Sequence, residues 1–491
     1  MVSFKLMLRA LAIASVVTSS AAATAQVVRV DGGLVRGKAW NGSRLFRGIP
    51  FAAPPVANLR WKPPQPVMPW KAVRDSLEQP PSCAQNDQGW NHSDYLIGRE
   101  DCLTLDVRTP AMDGRLPVLV WIHGGSNRAG GPNDIIRSDV GKQVVIVGIR
   151  YRLGIFGFLS HRKLNAEQGG SSGNYGLMDQ LAALRWVKRN IARFGGDPDN
   201  VTIAGESAGS QDVSLMLAAP AARGLFQKAI MESGTPGFGM PFRSLREAER
   251  IGDQADNLLG TRGDLKKLRS ASVPALLAAD LKLHDDAVES DAMVFLRITV
   301  DGKLLPKSPR ELLAESLAKP VILGSNRVEF GPGSAELNGF IDKAFGRHAA
   351  AARAYYKLGQ PEPPPDPRLG TRNEQVGTDV TFRCPARNLA ELLSAKGAPV
   401  WLYEFDAAPG GGKTSHAAEI AYAFGDATLD HGQSLKPYWL NFIRSGDPNG
   451  PGLTRWPRFT ASGRRHVLFS DAGVTLAGPL RPEICSLLNR I

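Results

Sequence analysis

Short apolar runs alternate along this chain with stretches whose apolar positions recur every three or four residues. Leu116-Pro117-Val118-Leu119-Val120-Trp121-Ile122 and Val144-Val145-Ile146-Val147-Gly148-Ile149 are almost wholly apolar, as strands covered on both faces are. Leu177, Leu181, Leu184, Val187, Ile191 and Phe194 follow helical steps, and Gly195-Gly196 ends that helix. A strand over Val201-Thr202-Ile203-Ala204, a helix carrying Val213, Leu215, Met216 and Leu217, and a strand over Lys228-Ala229-Ile230-Met231 come next. Further strands are predicted at residues 320–324, 400–405 and 467–469, with a helix near 437–444. Residues 27–35 alternate around Gly32-Gly33 and predict a hairpin. Repeated strand-helix-strand units specify an α/β fold: a mostly parallel central sheet with helices on both faces. Residues 243–317 are helical and charged, with one sheet-like stretch at 295–300, and read as insertions over the sheet rather than a second domain. No internal repeat or separating linker appears, so residues 26–491 are expected to form one domain.

Composition changes this picture at the N-terminus and in the choice of partners. Residues 1–25 begin with Lys5 and Arg9, pass through Leu11-Ala12-Ile13-Ala14-Ser15-Val16-Val17 and end in small residues, the three regions of a secretory signal peptide. No other apolar run is long enough to span a bilayer, so a secreted or periplasmic protein without a stable membrane anchor is expected. Four cysteines, Cys83, Cys102, Cys384 and Cys485, fit an oxidising compartment and permit three pairings. The formal charge of +12 falls to +10 without Lys5 and Arg9, but the basic residues are scattered, with no basic run or interleaved stacking aromatics. That pattern argues against nucleic acid as a partner.

The chemistry centres on Gly205-Glu206-Ser207-Ala208-Gly209. Glycines two residues either side of a serine permit a sharp strand-to-helix turn that lifts the hydroxyl into the open. Gly169-Gly170-Ser171-Ser172-Gly173 fits the same letters but has no apolar strand before it and reads as a flexible loop. Ser207 alone has strand before and helix after. A serine hydroxyl needs a neighbouring base, usually a histidine oriented by a carboxylate, and on such a sheet acid and histidine follow the serine in that order. Of the five histidines after Ser207, His416 sits in a loop just beyond a strong strand, and His431 is the fallback. Glu329 stands in a loop after the strand at 320–324, ahead of Glu336 and Asp342. The developing oxyanion needs N–H donors, and Gly124 and Gly125, in the turn after Trp121-Ile122-His123, together with Ala208, are placed to supply them.

Together these residues resemble the type-B carboxylesterase and cholinesterase family of α/β-hydrolases over most of the chain. The run from Phe194-Gly195-Gly196-Asp197-Pro198 to Gly205-Glu206-Ser207-Ala208-Gly209 matches the family's serine signature throughout, and Glu100-Asp101-Cys102-Leu103-Thr104-Leu105-Asp106-Val107 is similar to its second signature. Tyr151-Arg152-Leu153-Gly154, Asn174-Tyr175-Gly176-Leu177-Met178-Asp179-Gln180 and His416-Ala417-Ala418-Glu419 also look familial. The resemblance implies cofactor-independent hydrolysis of small carboxylic esters through an acyl-enzyme, with Ser207, Glu329 and His416 as triad. It further implies bridges Cys83 to Cys102 and Cys384 to Cys485, and matches Ser233 to a buried serine near the triad. Three positions depart from the family: Phe330 follows the acid where glycine is usual, Arg108 replaces an apolar residue, and the loop around Trp90 differs from that of cholinesterases. The alternatives are a lipase, an aromatic-ester hydrolase or an amidase of the same fold, or a catalytically silent adhesion protein.

Overall fold

The computed structural model describes residues 26–288, 290–332, 337–408, 412–429 and 432–488; the expected signal peptide, Glu336 and His431 lie outside them. The strands are β1 (Gln26–Val30), β2 (Gly33–Trp40), β3 (Ser43–Pro50), β4 (Arg74–Asp75), β5 (Thr104–Thr109), β6 (Leu116–Ile122), β7 (Val145–Ile149), β8 (Gly196–Glu206), β9 (Lys228–Glu232), β10 (Arg243–Ser244), β11 (Thr299–Val300), β12 (Val321–Asn326), β13 (Val400–Asp406), β14 (His466–Ser470) and β15 (Gly473–Ala477). One sheet runs in the order β1-β2-β3-β5-β7-β6-β8-β9-β12-β13-β14-β15, with β4 beside β2. From β7 to β14 every neighbouring pair is parallel. Apart from the short parallel β2–β4 pair, both margins are antiparallel.

The nearly continuous apolar runs divide between two cores because successive side chains point to opposite faces. Val118, Val120 and Ile122 enter one core while Leu119 and Trp121 enter the other, and Val321 and Leu323 are likewise split from Ile322. Helices Tyr175–Asn190, Ala208–Ala218 and Cys384–Ala395 cover the first face, and Asn133–Arg137 and Lys436–Ser445 the second. Helix Tyr175–Asn190 passes into a 3-10 turn over Ile191–Phe194, which Gly195 closes at φ 77°.

Several elements differ from the sequence reading. β3 and β5 carry Arg47, Asp106 and Arg108, which look like surface positions but are buried. Asp106 accepts two hydrogen bonds from Arg150 at 3.0 Å, and one each from Arg47 Nε at 3.1 Å and Gly48 N–H at 2.8 Å. Arg108 donates to Ser43 Oγ and to the carbonyls of Ile136 and Ser138, and its guanidinium lies 4.5 Å from the Trp40 ring centre. These partners explain a charged residue where an apolar one is usual. The stretch at 295–300 yields only β11, which pairs with β10 apart from the main sheet. The loop 169–173 is not an open one: Ser171 and Ser172 are buried, and Ser172 Oγ bonds Asn165 and Ser160.

The disulfides Cys83–Cys102 and Cys384–Cys485 are both formed. Among the described residues no helix is long and apolar enough to cross a membrane.

Candidate active site

The carboxyl ends of β6, β8, β9, β12 and β13 lie side by side along one edge of the sheet. Loops leaving that edge carry His123, Gly124 and Gly125 after β6, Ser207 after β8, Glu329 after β12 and His416 after β13. This is the edge where open parallel sheets place their ligand crevices.

Ser207 joins β8 directly to helix Ala208–Ala218 with φ 55° and ψ −126°, a conformation that costs a non-glycine residue on the order of 1–3 kcal/mol. The turn closes because both flanking glycines lack side chains. A Cβ at Gly205 would meet the Gly209 carbonyl carbon at 2.5 Å, and one at Gly209 would meet the Ile122 carbonyl oxygen at 2.0 Å. The Ser207 N–H donates to the Glu232 carbonyl at 2.9 Å, which ties the turn to β9. Ser207 Oγ has no hydrogen-bond partner among the described residues and faces a cavity of about 770 Å³ shared with His416.

The glycine turn packs against the serine: a Cβ at Gly124 would lie 2.6 Å from the Glu206 carbonyl oxygen and 3.1 Å from Ser207 Cβ. Gln85 holds the far end of the loop, accepting from Gly130 N–H at 2.7 Å and donating to its carbonyl at 3.1 Å. His123 stacks on Tyr151 at 4.5 Å, and burial pushes its imidazole down to about 4, keeping it neutral. The N–H groups of Gly124, Gly125 and Ala208 donate to no described residue, and Gly124 and Gly125 line the cavity with Ser207.

Glu329 Oε2 lies 2.6 Å from His416 Nδ1. Its Oε1 accepts from Ser233 Oγ at 2.7 Å and from the Asn326 N–H at 2.8 Å. The acid and histidine loops are tied together, since the Val328 N–H donates to Thr414 Oγ1 at 2.9 Å. Phe330, which occupies the departing position, packs edge-on to the imidazole at 4.8 Å.

The other imidazole nitrogen differs from expectation. His416 Nε2 lies 3.1 Å from Glu206 Oε1, one residue before the serine, rather than in a hydrogen bond to Ser207 Oγ. Glu206 belongs to a set of four buried glutamates with Glu232, Glu329 and Glu419. Burial raises Glu206 to about 8, against the opposing pull of His416. His416 in turn stands at about 9, because the Glu206 and Glu329 carboxylates outweigh the burial that disfavours its charge. His416 Nε2 and Glu206 Oε1 thus form a close buried contact in which each group is raised above its ordinary range. Ser233 Oγ touches both Glu329 Oε1 at 2.7 Å and Glu419 Oε1 at 3.0 Å, yet has one proton to give. Burial is the chief influence raising the neighbouring Glu419 carboxyl, to about 7.

The sequence reading did not assign roles to Glu206, Glu232 or Glu419. The available signal was charged residues at strand ends and loops where every neighbour is forced inside, as in Ile203-Ala204-Gly205-Glu206. Asp342 pairs with Arg353 on the surface and takes no part. Trp90 lines the cavity with 65% of its surface exposed, its indole 2.9 Å from where a Gly125 Cβ would stand. Among the described residues no group of three or more His, Cys, Asp or Glu side chains is arranged to hold a metal ion.

Comparison with known proteins places this architecture. Residues 24–486 match the model of the carboxylesterase family. The para-nitrobenzyl esterase of Bacillus subtilis (strain 168) is 34% identical over 490 residues, covering 92% of this chain and 96% of that protein. Liver carboxylesterase 1 of Oryctolagus cuniculus is 35% identical over 479 residues, covering 84% of this chain and 83% of that one. A solved PNB esterase superimposes with a TM-score of 0.81 at 32% identity, over 95% of this chain and all of the other.

Proposed function

Because the chain belongs to the carboxylesterase family, has the α/β-hydrolase fold and is a carboxylic ester hydrolase, we propose that its reaction runs through Ser207, His416 and Glu329. His416 removes the proton from Ser207 as Oγ attacks the ester carbonyl, and the oxyanion is received by the N–H groups of Gly124, Gly125 and Ala208. His416 then protonates the leaving alcohol, and water repeats the sequence on the acyl-enzyme. Glu329 orients the imidazole and stabilises its charged form. The mechanism asks Nε2 of the neutral imidazole to exchange Glu206 for the neighbouring hydroxyl.

The observation that carries this reading is the anchored imidazole: Nδ1 is held by Glu329 at 2.6 Å, and His416 lines the same cavity as Ser207. Replacing Ser207 with Ala in the purified protein should abolish ester turnover and leave the fold intact by circular dichroism. Turnover near that of the unaltered protein would overturn the assignment.

The N-terminal pattern and the two disulfides support export to an oxidising compartment, with residues 26–491 as one mature domain.

A further inference from the structure

Phe330 is a large apolar side chain held partly in the open, with 43% of its surface exposed where it lines the cavity beside Ser207 and His416. Its ring is fixed from two directions. It stands edge-on to the buried Phe382 at 5.1 Å and 88°, and to the His416 imidazole at 4.8 Å and 72°. The backbone on either side is fixed as well. The Glu329 N–H donates to Thr378 Oγ1 at 3.0 Å, and a Cβ at Gly331 would lie 2.3 Å from the Asn373 carbonyl oxygen. The cavity therefore presents a pre-set aromatic surface, and little side-chain freedom remains to be lost when a substrate meets it.

The chemistry identifies which part of the substrate that is. His416 gives its proton to the leaving alcohol oxygen, so that oxygen must come within hydrogen-bond reach of Nε2. The alcohol group then lies against the imidazole and beside the ring packed on it. Resting on the Ser207–His416 reading, we propose that Phe330 is a specificity-determining residue that contacts the alcohol portion of the ester and favours esters of aromatic alcohols. Ring-to-ring contact adds to plain apolar burial by an amount equivalent to about a 3- to 10-fold preference.

Benzyl acetate and cyclohexylmethyl acetate test this, since they share the acyl group and nearly the same shape and differ in the aromaticity of the alcohol. The unaltered enzyme should have the higher kcat/KM for benzyl acetate. In Phe330→Leu and Phe330→Ala the benzyl-to-cyclohexylmethyl ratio should fall about 3- to 10-fold, while Phe330→Tyr should keep it. Thermal melts of all three variants establish that the fold is retained. A ratio that stays constant in the Leu and Ala variants overturns the proposal. So does an equal loss on both esters accompanied by a displaced pH profile, which would mean that Phe330 acts only through His416. Failure of the underlying mechanism is separable: a Ser207→Ala enzyme that still hydrolyses both esters refutes the serine assignment, while the Phe330 ratio remains readable.

Discussion

Replacing Glu206 with Gln keeps the volume of the side chain and removes a carboxylate whose Oε1 lies 3.1 Å from His416 Nε2. In the unaltered protein that charge is the largest influence raising the imidazole to about 9. Even with screening as complete as bulk water, a unit charge at that distance is worth about 1.3 kcal/mol, or about one pH unit in an ionisation. The buried site is screened less, so this is a lower bound. The base must be neutral to accept the Ser207 proton, and removing the anion disfavours the imidazolium. The acid limb of kcat/KM should therefore move to lower pH by about one pH unit or more in Glu206→Gln. The assay is pH-stat titration of an uncharged alkyl ester from about pH 5 to pH 10, with the limb fitted to a single ionisation in the variant. An acid limb that stays in place, or moves to higher pH, would show that Glu206 does not hold the proton on His416.

Four further outcomes follow from the same geometry. Gly209→Ala puts a Cβ 2.0 Å from the Ile122 carbonyl oxygen and should lower kcat/KM by about 100-fold or more by displacing both Ser207 and the proposed oxyanion donors. Gly339→Ala, which meets nothing within 4 Å on a helix, should leave turnover unchanged in the same assay. Replacing Cys384 and Cys485 together with Ala opens a loop spanning 101 residues and should reduce unfolding free energy by about 4 to 5 kcal/mol in urea titration. Glu232 is buried, its Oε2 has no partner among the described residues, and burial holds its carboxyl well above the usual range. The unfolded chain then loses its proton near pH 4.3 while the folded one keeps it, so this group's contribution to stability is full below about pH 4.3 and falls as pH rises towards the folded value. Glu232→Gln should therefore gain stability relative to the unaltered protein between about pH 5 and pH 8, read as the difference in melting temperature.

What could be read from the chain depended on whether burial matched chemical type. Val118 to Ile122 and Val321 to Leu323 are apolar and buried, so their strands were legible even though their side chains divide between two cores. β3 and β5 were not, because Arg47, Asp106 and Arg108 are buried by virtue of partners up to 86 residues away in sequence. The same limit hid the glutamate set. Glu206, Glu232 and Glu419 converge only once β8, β9 and the His416 loop are brought to one edge. The placing of Ser207, Glu329 and His416 at one edge of the sheet was legible because each stands in the first loop after a recognisable strand. Which partner His416 Nε2 faces was not, since that is decided by side-chain geometry at a buried contact and not by position along the chain.

The central assignment is that Ser207 is the nucleophile, and covalent labelling tests it most directly. Treating the purified protein with a fluorophosphonate and mapping the adduct by peptide mass spectrometry should place one phosphonyl group per chain on Ser207, with loss of ester turnover in step with labelling. A protein that loses turnover with the adduct on Ser171, Ser233 or any other residue, or that is fully labelled at Ser207 and still hydrolyses esters, would contradict the account.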